Sequence, residues 1–297
     1  MRALITGGQG FVGRHLRAHL EELGDDVTTI DMERDVTDVA AMKEVVEDVR
    51  PEAIYHLAAI SHVGTSWEDP RLVLHVNVLG TASVLAAARA IPDVTTLVVS
   101  SAEVYGVVQP ADLPLREDAV ARPATPYAAS KLAAEVVALQ SVRGYGQRVM
   151  VARAFNHIGP GQSPTFFVPA MAQRIRAAHA EGRSSIPVGN LTSRRDFSDV
   201  RDVVRAYAAI VRRGTSGEIY NVASGVDHAM SELAETLRDA VDPSIVFETD
   251  PALLRPVDIP VLRGSAEKLT AATGWTPLIS LRETLADVLE ATPLTLP

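Results

Sequence analysis

Short apolar runs alternate along the first half of the chain with longer stretches in which apolar positions recur at helical spacing. Residues 3–6, 27–31, 53–58 and 96–101 read as strands. Apolar runs of this kind between helical stretches are the sign of strands in a parallel sheet. Residues 13–22, 40–49 and the long stretch 70–90 read as helices between them. This rhythm predicts a doubly wound parallel sheet with helices on both faces. A proline-punctuated loop over residues 106–126 leads into another helix, for which Thr125 is a cap and Pro126 a first-turn residue.

The second half is less regular. Residues 148–155 and 218–222 read as further strands, and 163–181, 200–213, 231–241 and 281–289 as helices. The last third is expected to form most of a smaller second domain. No internal repeat or low-complexity segment interrupts the pattern.

Composition narrows the class without changing it. A chain of 297 residues, 47% hydrophobic and 22% charged, has ample material for a core. A formal charge of -9 argues against a nucleic-acid surface but not against an anionic small molecule, for which a few local arginines suffice. With no cysteine, thiolate metal sites and disulfides are excluded. Residues 1–5 meet glycines at once and are too short for a signal core. No membrane association and a cytoplasmic location are the expectations.

Gly7, Gly10 and Gly13 fall between the first strand and the first helix. In that context Gly7 permits a tight turn and Gly10 a close approach of backbone to a pyrophosphate. Gly13 lets the helix pack on the strand, while the helix N-terminus faces phosphate charge. A glycine-rich turn without a ligand has the same composition; the strand–turn–helix order is what selects binding. Asp31, at the end of the second strand, suits the ribose hydroxyls of an adenosine and repels a 2′-phosphate, which favours NAD. The nearby Arg34 could pair with that phosphate, so NADP stays open.

Tyr127 and Lys131 are four residues apart and share a helical face. A phenol titrates near about 10, and a neighbouring ammonium is expected to lower it toward a working range for proton transfer. A surface tyrosine–lysine pair has the same spacing; following the glycine loop, the pair reads as catalytic. Ser100 and Ser101 close the strand 96–101 at the edge where such sheets bind ligands. The histidines show no metal-binding spacing, and His56 reads as a core or loop residue. Arg194, Arg195 and Arg255 read individually as solvated loop arginines.

Together these residues resemble the extended short-chain dehydrogenase/reductases, the nucleotide-sugar epimerases, dehydratases and reductases. The resemblance spans essentially the whole chain: the glycine loop, Asp35-Val36, His56-Leu57-Ala58-Ala59, Asn77-Val78-Leu79-Gly80-Thr81, Ser100-Ser101-Ala102-Glu103-Val104-Tyr105-Gly106, Pro126-Tyr127-Ala128-Ala129-Ser130-Lys131, Arg195-Asp196-Phe197 and Gly274-Trp275-Thr276-Pro277. Within the family, residues 152–162, Phe167-Val168, residues 220–225 and Arg263-Gly264-Ser265 are most similar to reductases of GDP-4-keto-6-deoxy-D-mannose, which form GDP-D-rhamnose.

The resemblance implies a Rossmann-type fold with dinucleotide held by residues 1–156 and 193–223, and nucleotide sugar by 157–192 and 224–297. It implies Ser101, Tyr127 and Lys131 as the catalytic triad. Gly7, Gly10, Phe11, Val12, Asp31, Asp35, Val36, Leu57, Ala58, Ala59 and Asn77, with Tyr127 and Lys131, would line the NAD(P) site. Ser101, Glu103, Asn156, Arg195 and Arg255 would meet the substrate, Arg255 at its diphosphate. Related dehydratases commonly carry Asp-Glu or Ser-Glu after the catalytic hydroxyl residue. Here Ala102-Glu103 stands in that place, which tilts the reading toward simple reduction and leaves 4-epimerase and 4,6-dehydratase as alternatives. A non-catalytic cofactor-binding regulator is the reading from a different class. The family also implies a homodimer, through the helix after Pro70 and the helix of Tyr127.

Overall fold

The apolar runs of the first half become neighbouring strands. The computed structural model describes residues 1–253 and 259–293. In it, β1 (Arg2–Thr6), β2 (Asp26–Ile30), β3 (Ala53–His56), β4 (Thr95–Ser101) and β5 (Arg148–Ala154) are the strands the pattern predicts. Seven further strands follow: β6 (Asn156–Ile158), β7 (Ser185–Val188), β8 (Arg194–Asp199), β9 (Ile219–Val222), β10 (Asp227–Ala229), β11 (Val246–Thr249) and β12 (Val261–Leu262). The main sheet runs β2-β1-β3-β4-β5-β9, every pair parallel.

Alternation along these strands feeds two cores. Ala3, Ile5, Tyr55, Leu97 and Ala152 point to one face, covered by α1 (Phe11–Glu22) and, late in the chain, α8 (Val200–Arg213). Leu4, Ile54, Val98 and Val151 point to the other. That face is covered by α2 (Val39–Val49), by the helical stretch of residues 70–88 and by α6 (Pro126–Tyr145). The doubly wound sheet of the sequence reading is therefore present. β1 connects outward to β2 on one side, and its other neighbour β3 starts the opposite direction. The loops after β1 and β3 thus meet at a topological switch point.

The stretch 70–88, expected as one regular helix, contains an irregularity. α4 (Pro70–Leu74), preceded by the short α3 (Val63–Glu68), gives way to a π-helical turn over His75–Leu79 and then to α5 (Gly80–Ala88). By length and composition Pro70–Ala88 could cross a bilayer, with mean hydropathy 1.5, yet half of it is buried inside the fold. Its apolar character serves packing against α2 and α6.

A second sheet, β10-β8-β12 with β6 beside β8, and a β7–β11 ribbon lie beyond the main sheet. Their core gathers Ile158, Met171, Ile175, Phe197, Leu233 and Leu285. The helices around it are α7 (Phe167–Ala180), α9 (Met230–Asp239) and α11 (Leu281–Ala291). β8 belongs to this second sheet, whereas α8 and β9, which follow it, return to the first. Arg194 and Arg195, read from sequence as loop arginines, lie on β8. Such a strand escapes apolar periodicity because its charges are matched locally, as by Asp227 and Glu232 on Arg194.

The C-terminal docking is polar at its centre. Asp202 of α8 is fully buried and accepts the amides of Leu278 and Ile279 at 2.9 and 2.8 Å. Its carbonyl accepts Trp275 Nε1 at 3.0 Å. Removing the carboxylate leaves two part-buried amides and the Arg205 guanidinium without this partner. Asp202→Ala is expected to cost about 3 kcal/mol in denaturant unfolding. A loss below about 1 kcal/mol would show that apolar contacts alone dock this segment.

Candidate active site

Three glycines shape the loop after β1, each for its own reason. Gly7 takes φ +75°, and a Cβ there would lie 2.8 Å from Ala58 N. A Cβ on Gly13 would lie 2.2 Å from Gly7 O, so helix and turn touch backbone to backbone. At Gly10 the only neighbour is Gly7 O at 3.1 Å, so the protein itself asks little of that position. Gly10 also caps α1 without a side-chain hydrogen bond. The amides of Gly7, Gly8, Gln9 and Gly10 are taken by Ile30 O, Asp31 and Gly7 O, so what this cradle offers a pyrophosphate is close approach at Gly10 and the uncapped N-terminus of α1.

Around the cradle stand the other residues read as cofactor contacts. Asp31 follows β2 and accepts Gln9 N at 2.8 Å and Met32 N at 3.0 Å, so its carboxylate is fixed beside the loop. Arg34 pairs with Glu44 at 3.0 Å. Asp35 accepts both the amide and hydroxyl of Thr37, which hold its carboxyl below the usual range, and Val36 is buried beside Gly80. Leu57 and Ala58 donate their amides to Thr6 O and Thr6 Oγ1, and Ala59 continues that half-buried loop. Phe11 stands between His15 and His157, edge-on to the first and stacked on the second, with Val12 half-buried behind it. His56 is a core residue: it bridges Thr6 and Thr81, and burial pushes it down to about 3.

Asn77 lies in the π-helical turn, fully inside the protein. Its amide group accepts Ile60 N at 2.8 Å and donates to Ile60 O at 3.1 Å and Ser130 Oγ at 2.8 Å. It therefore ties the loop after β3 to the residue preceding Lys131.

The triad assembles where β4 ends. Thr125 caps α6 by accepting Ala128 N at 3.0 Å, with Pro126 in the first turn, as the sequence predicts. The helix then lays Tyr127 and Lys131 along the carboxyl end of β4. Tyr127 lies beside Ser101, whose hydroxyl draws its titration down, and Lys131 Nζ donates to Val99 O at 2.8 Å.

One expectation is corrected here. The four-residue spacing predicts that Lys131 lowers the tyrosine. Instead burial pushes Tyr127 up to about 12, Ser101 pulls it down, and Glu103 adds a further push upward. Burial also draws the Lys131 ammonium down to about 8, against a counter-pull from Glu135. Desolvation is the largest cause in both groups, and neither shift includes a contribution from the other.

Of the residues read as substrate contacts, Ser101, Glu103 and Asn156 lie at the same edge and Arg195 on β8. Ser101 pairs in register with Ala154, and Asn156 starts β6 just beyond, exposed. β6 aligns Asn156 with Phe197 of β8, two residues past Arg195. Arg195 is half-buried and donates from one guanidinium nitrogen to Arg194 O at 2.9 Å and Ile259 O at 2.6 Å. Glu103 donates its amide to Ser101 Oγ at 3.2 Å. Arg255 lies outside the described residues.

Sequence reading missed a buried polar layer behind the triad. Arg153 of β5 grips Glu135 of α6 through two hydrogen bonds, 2.9 and 2.8 Å, both side chains almost fully buried. Two signals were present: a charged residue between Ala152 and Ala154 in a buried run, and Glu135 one turn after Lys131.

A phosphate cradle at the switch point and a Ser–Tyr–Lys set at the neighbouring strand end define a dinucleotide-dependent enzyme of the short-chain dehydrogenase/reductase type. Residues 30–288 match the family described as GDP-mannose 4,6 dehydratase, and the chain belongs to that family. Its sequence is 37% identical to a GDP-6-deoxy-D-mannose reductase of Pseudomonas aeruginosa, over 97% of this chain and 96% of that protein. Its fold is similar to the structure of RMD from Pseudomonas aeruginosa complexed with NADPH (TM-score 0.90, 35% identity, 98% of each chain). It is also similar to a Thermus thermophilus UDP-glucose 4-epimerase in complex with NAD (TM-score 0.88, 29% identity, 98% of this chain and 99% of that one).

Proposed function

We propose that the protein reduces the C4 keto group of a nucleotide-linked 4-keto-6-deoxyhexose with NADH or NADPH, converting GDP-4-keto-6-deoxy-D-mannose to GDP-D-rhamnose. The observation that carries this reading is the convergence of Ser101, Tyr127 and Lys131 at the end of β4, beside the glycine cradle. The Pseudomonas reductase supports the substrate.

The cradle residues Gly7, Gly10, Phe11 and Val12 hold the pyrophosphate. Asp31, Asp35, Val36 and the loop Leu57-Ala58-Ala59 line the adenosine side. Bound there, the reduced nicotinamide supplies a hydride. Ser101 donates a hydrogen bond to the C4 oxygen, so negative charge develops against a placed donor. Tyr127 then gives that oxygen its proton. Burial keeps the phenol protonated at neutral pH, the state a reductase needs at the start of its turnover. Lys131 carries its charge below about 8 and steadies the phenolate that results. Glu103, Asn156, Arg195 and Arg255 are the substrate side of this reading.

Ala102 favours reduction over dehydration. It is buried among Val104, Tyr105 and Phe155, so the residue after Ser101 offers no acid or base. For the cofactor, Asp31 fixed beside the loop and Arg34 engaged with Glu44 favour NAD, although a similar structure holds NADPH. A homodimer belongs to the same reading. Exposed Leu72, Leu74 and Leu79 on the 70–88 stretch and Val136 on α6 form an apolar surface on the helices the family pairs.

The test is spectrophotometric. Purified protein is expected to oxidise NADH, with a higher kcat/KM than NADPH, only when the 4-keto sugar is present. Interconversion of nucleotide hexoses without added reductant would instead make it an epimerase, and loss of water from GDP-mannose a dehydratase.

A further inference from the structure

Three consecutive residues of β4 receive three residues of one stripe on α6. Ser101 lies near enough to Tyr127 to draw its titration down, the Val99 carbonyl accepts Lys131 Nζ, and Ser100 Oγ donates to Glu135 Oε1 at 2.5 Å. Positions 127, 131 and 135 are one helical turn apart, so the stripe is continuous. Arg153, the partner of Ser100 in the β4–β5 register, clamps both oxygens of Glu135. Its guanidinium also donates to Glu117 O at 3.1 Å and sits 4.9 Å over the Tyr105 ring. Tyr105 in turn donates to Asn221 Oδ1 at 2.7 Å.

A buried ion pair is a poor source of stability, because desolvation offsets its attraction. Its geometry here suggests a different use. Without Glu135, Lys131 and Arg153 would be two buried cations in the same layer with no anion between them. Without the grip of Arg153, Glu135 would be free to leave Ser100.

We propose that the Glu135–Arg153 pair is the positioning device of the active site: Glu135 keeps Lys131 an ammonium and, through Ser100, sets the docking of α6 on β4 that brings Tyr127 to Ser101. Neither residue touches the reacting atoms; both act through Lys131 and Tyr127. The groups around Lys131 support one direction. On its own helix stand Tyr127 and Glu135. From β3 comes His56, kept neutral by burial and further by the Lys131 charge. From β5 comes Arg153, behind Glu135. Glu135 is the anion among these that favours the Lys131 charge. As pH rises, the ammonium is lost, and turnover with it; removing Glu135 must move that loss to lower pH.

This inference rests on the reductase reading for its kinetic arm but not for its direct one. Lys43, Lys131 and Lys268 are the lysines of the chain, so side-chain NMR of the intact protein can follow Lys131, assigned through its loss in Lys131→Arg. Glu135→Gln is expected to lower the Lys131 titration by roughly one pH unit and to shift the alkaline loss of turnover by the same interval. The double variant Glu135→Gln/Arg153→Met, with neither buried charge, is expected to titrate between that value and the wild type. If Lys131 titrates as in the wild type while turnover falls, the pair is only a brace and the proposal is overturned. Should Glu135→Gln fail to fold, the double variant decides: a lowered titration supports the proposal, an unchanged one overturns it. A wild-type protein that never turns over the keto-sugar would sink the reductase reading while leaving the NMR arm intact.

Discussion

Tyr127→Phe is expected to lower turnover by roughly 10³-fold while leaving dinucleotide affinity within about twofold. The substitution deletes one hydroxyl from a buried ring and keeps its shape. Packing against α6 and β4 survives, and the cradle is untouched. What disappears is the proton donor facing Ser101. The residue after Ser101, the buried Ala102, offers no replacement. Equilibrium binding followed by cofactor fluorescence, beside steady-state rates, separates the two effects. Turnover within tenfold of the wild type would remove Tyr127 from the mechanism.

The second large effect concerns the cradle, where two glycines are expected to respond differently. Gly13→Ala drives a methyl to within 2.2 Å of Gly7 O and 2.8 Å of Gly8 Cα, so loop and helix must part. Both stability and dinucleotide binding should fall, stability by about 2 kcal/mol. At Gly10 a methyl meets only Gly7 O at 3.1 Å. Gly10→Ala should therefore stay within about 1 kcal/mol of wild-type stability. Its dinucleotide affinity should nonetheless drop roughly a hundredfold, about 2.7 kcal/mol, because the methyl occupies the approach of the pyrophosphate. Thermal unfolding with calorimetric titration reads both quantities. Equal loss of stability in the two variants would mean that Gly10, too, serves the fold alone.

The parts of this account visible in sequence are those whose cause is local. β1, β3 and β5 announce themselves because both faces are buried, so most of their residues are apolar, and β4 does so through its central Leu97-Val98-Val99. The turn at Gly7–Gly13 and the Tyr127–Lys131 spacing each lie within one loop or one helical turn. What was hidden depends on distant partners. β8 is polar along most of its length, and the ion pairs from Asp227 and Glu232 with the neighbouring strands β6, β10 and β12 make it a strand. The π-helical turn at Asn77 depends on Ile60 and Ser130, neither of them near in sequence. The raised Tyr127 is a matter of burial, which spacing does not report; an ammonium four residues away pointed in the opposite direction. Arg153 and Glu135 become a pair only once β5 is beside β4.

The central claim is that hydride reaches the sugar's C4 while Tyr127 protonates its oxygen. The most direct measurement uses NADH carrying deuterium on the transferred face of nicotinamide C4, with GDP-4-keto-6-deoxy-D-mannose, and NMR of the product. The account predicts GDP-D-rhamnose with deuterium at sugar C4, formed by the wild type and not by Tyr127→Phe. A product without deuterium at that carbon, or a labelled product formed equally by the variant, would contradict it.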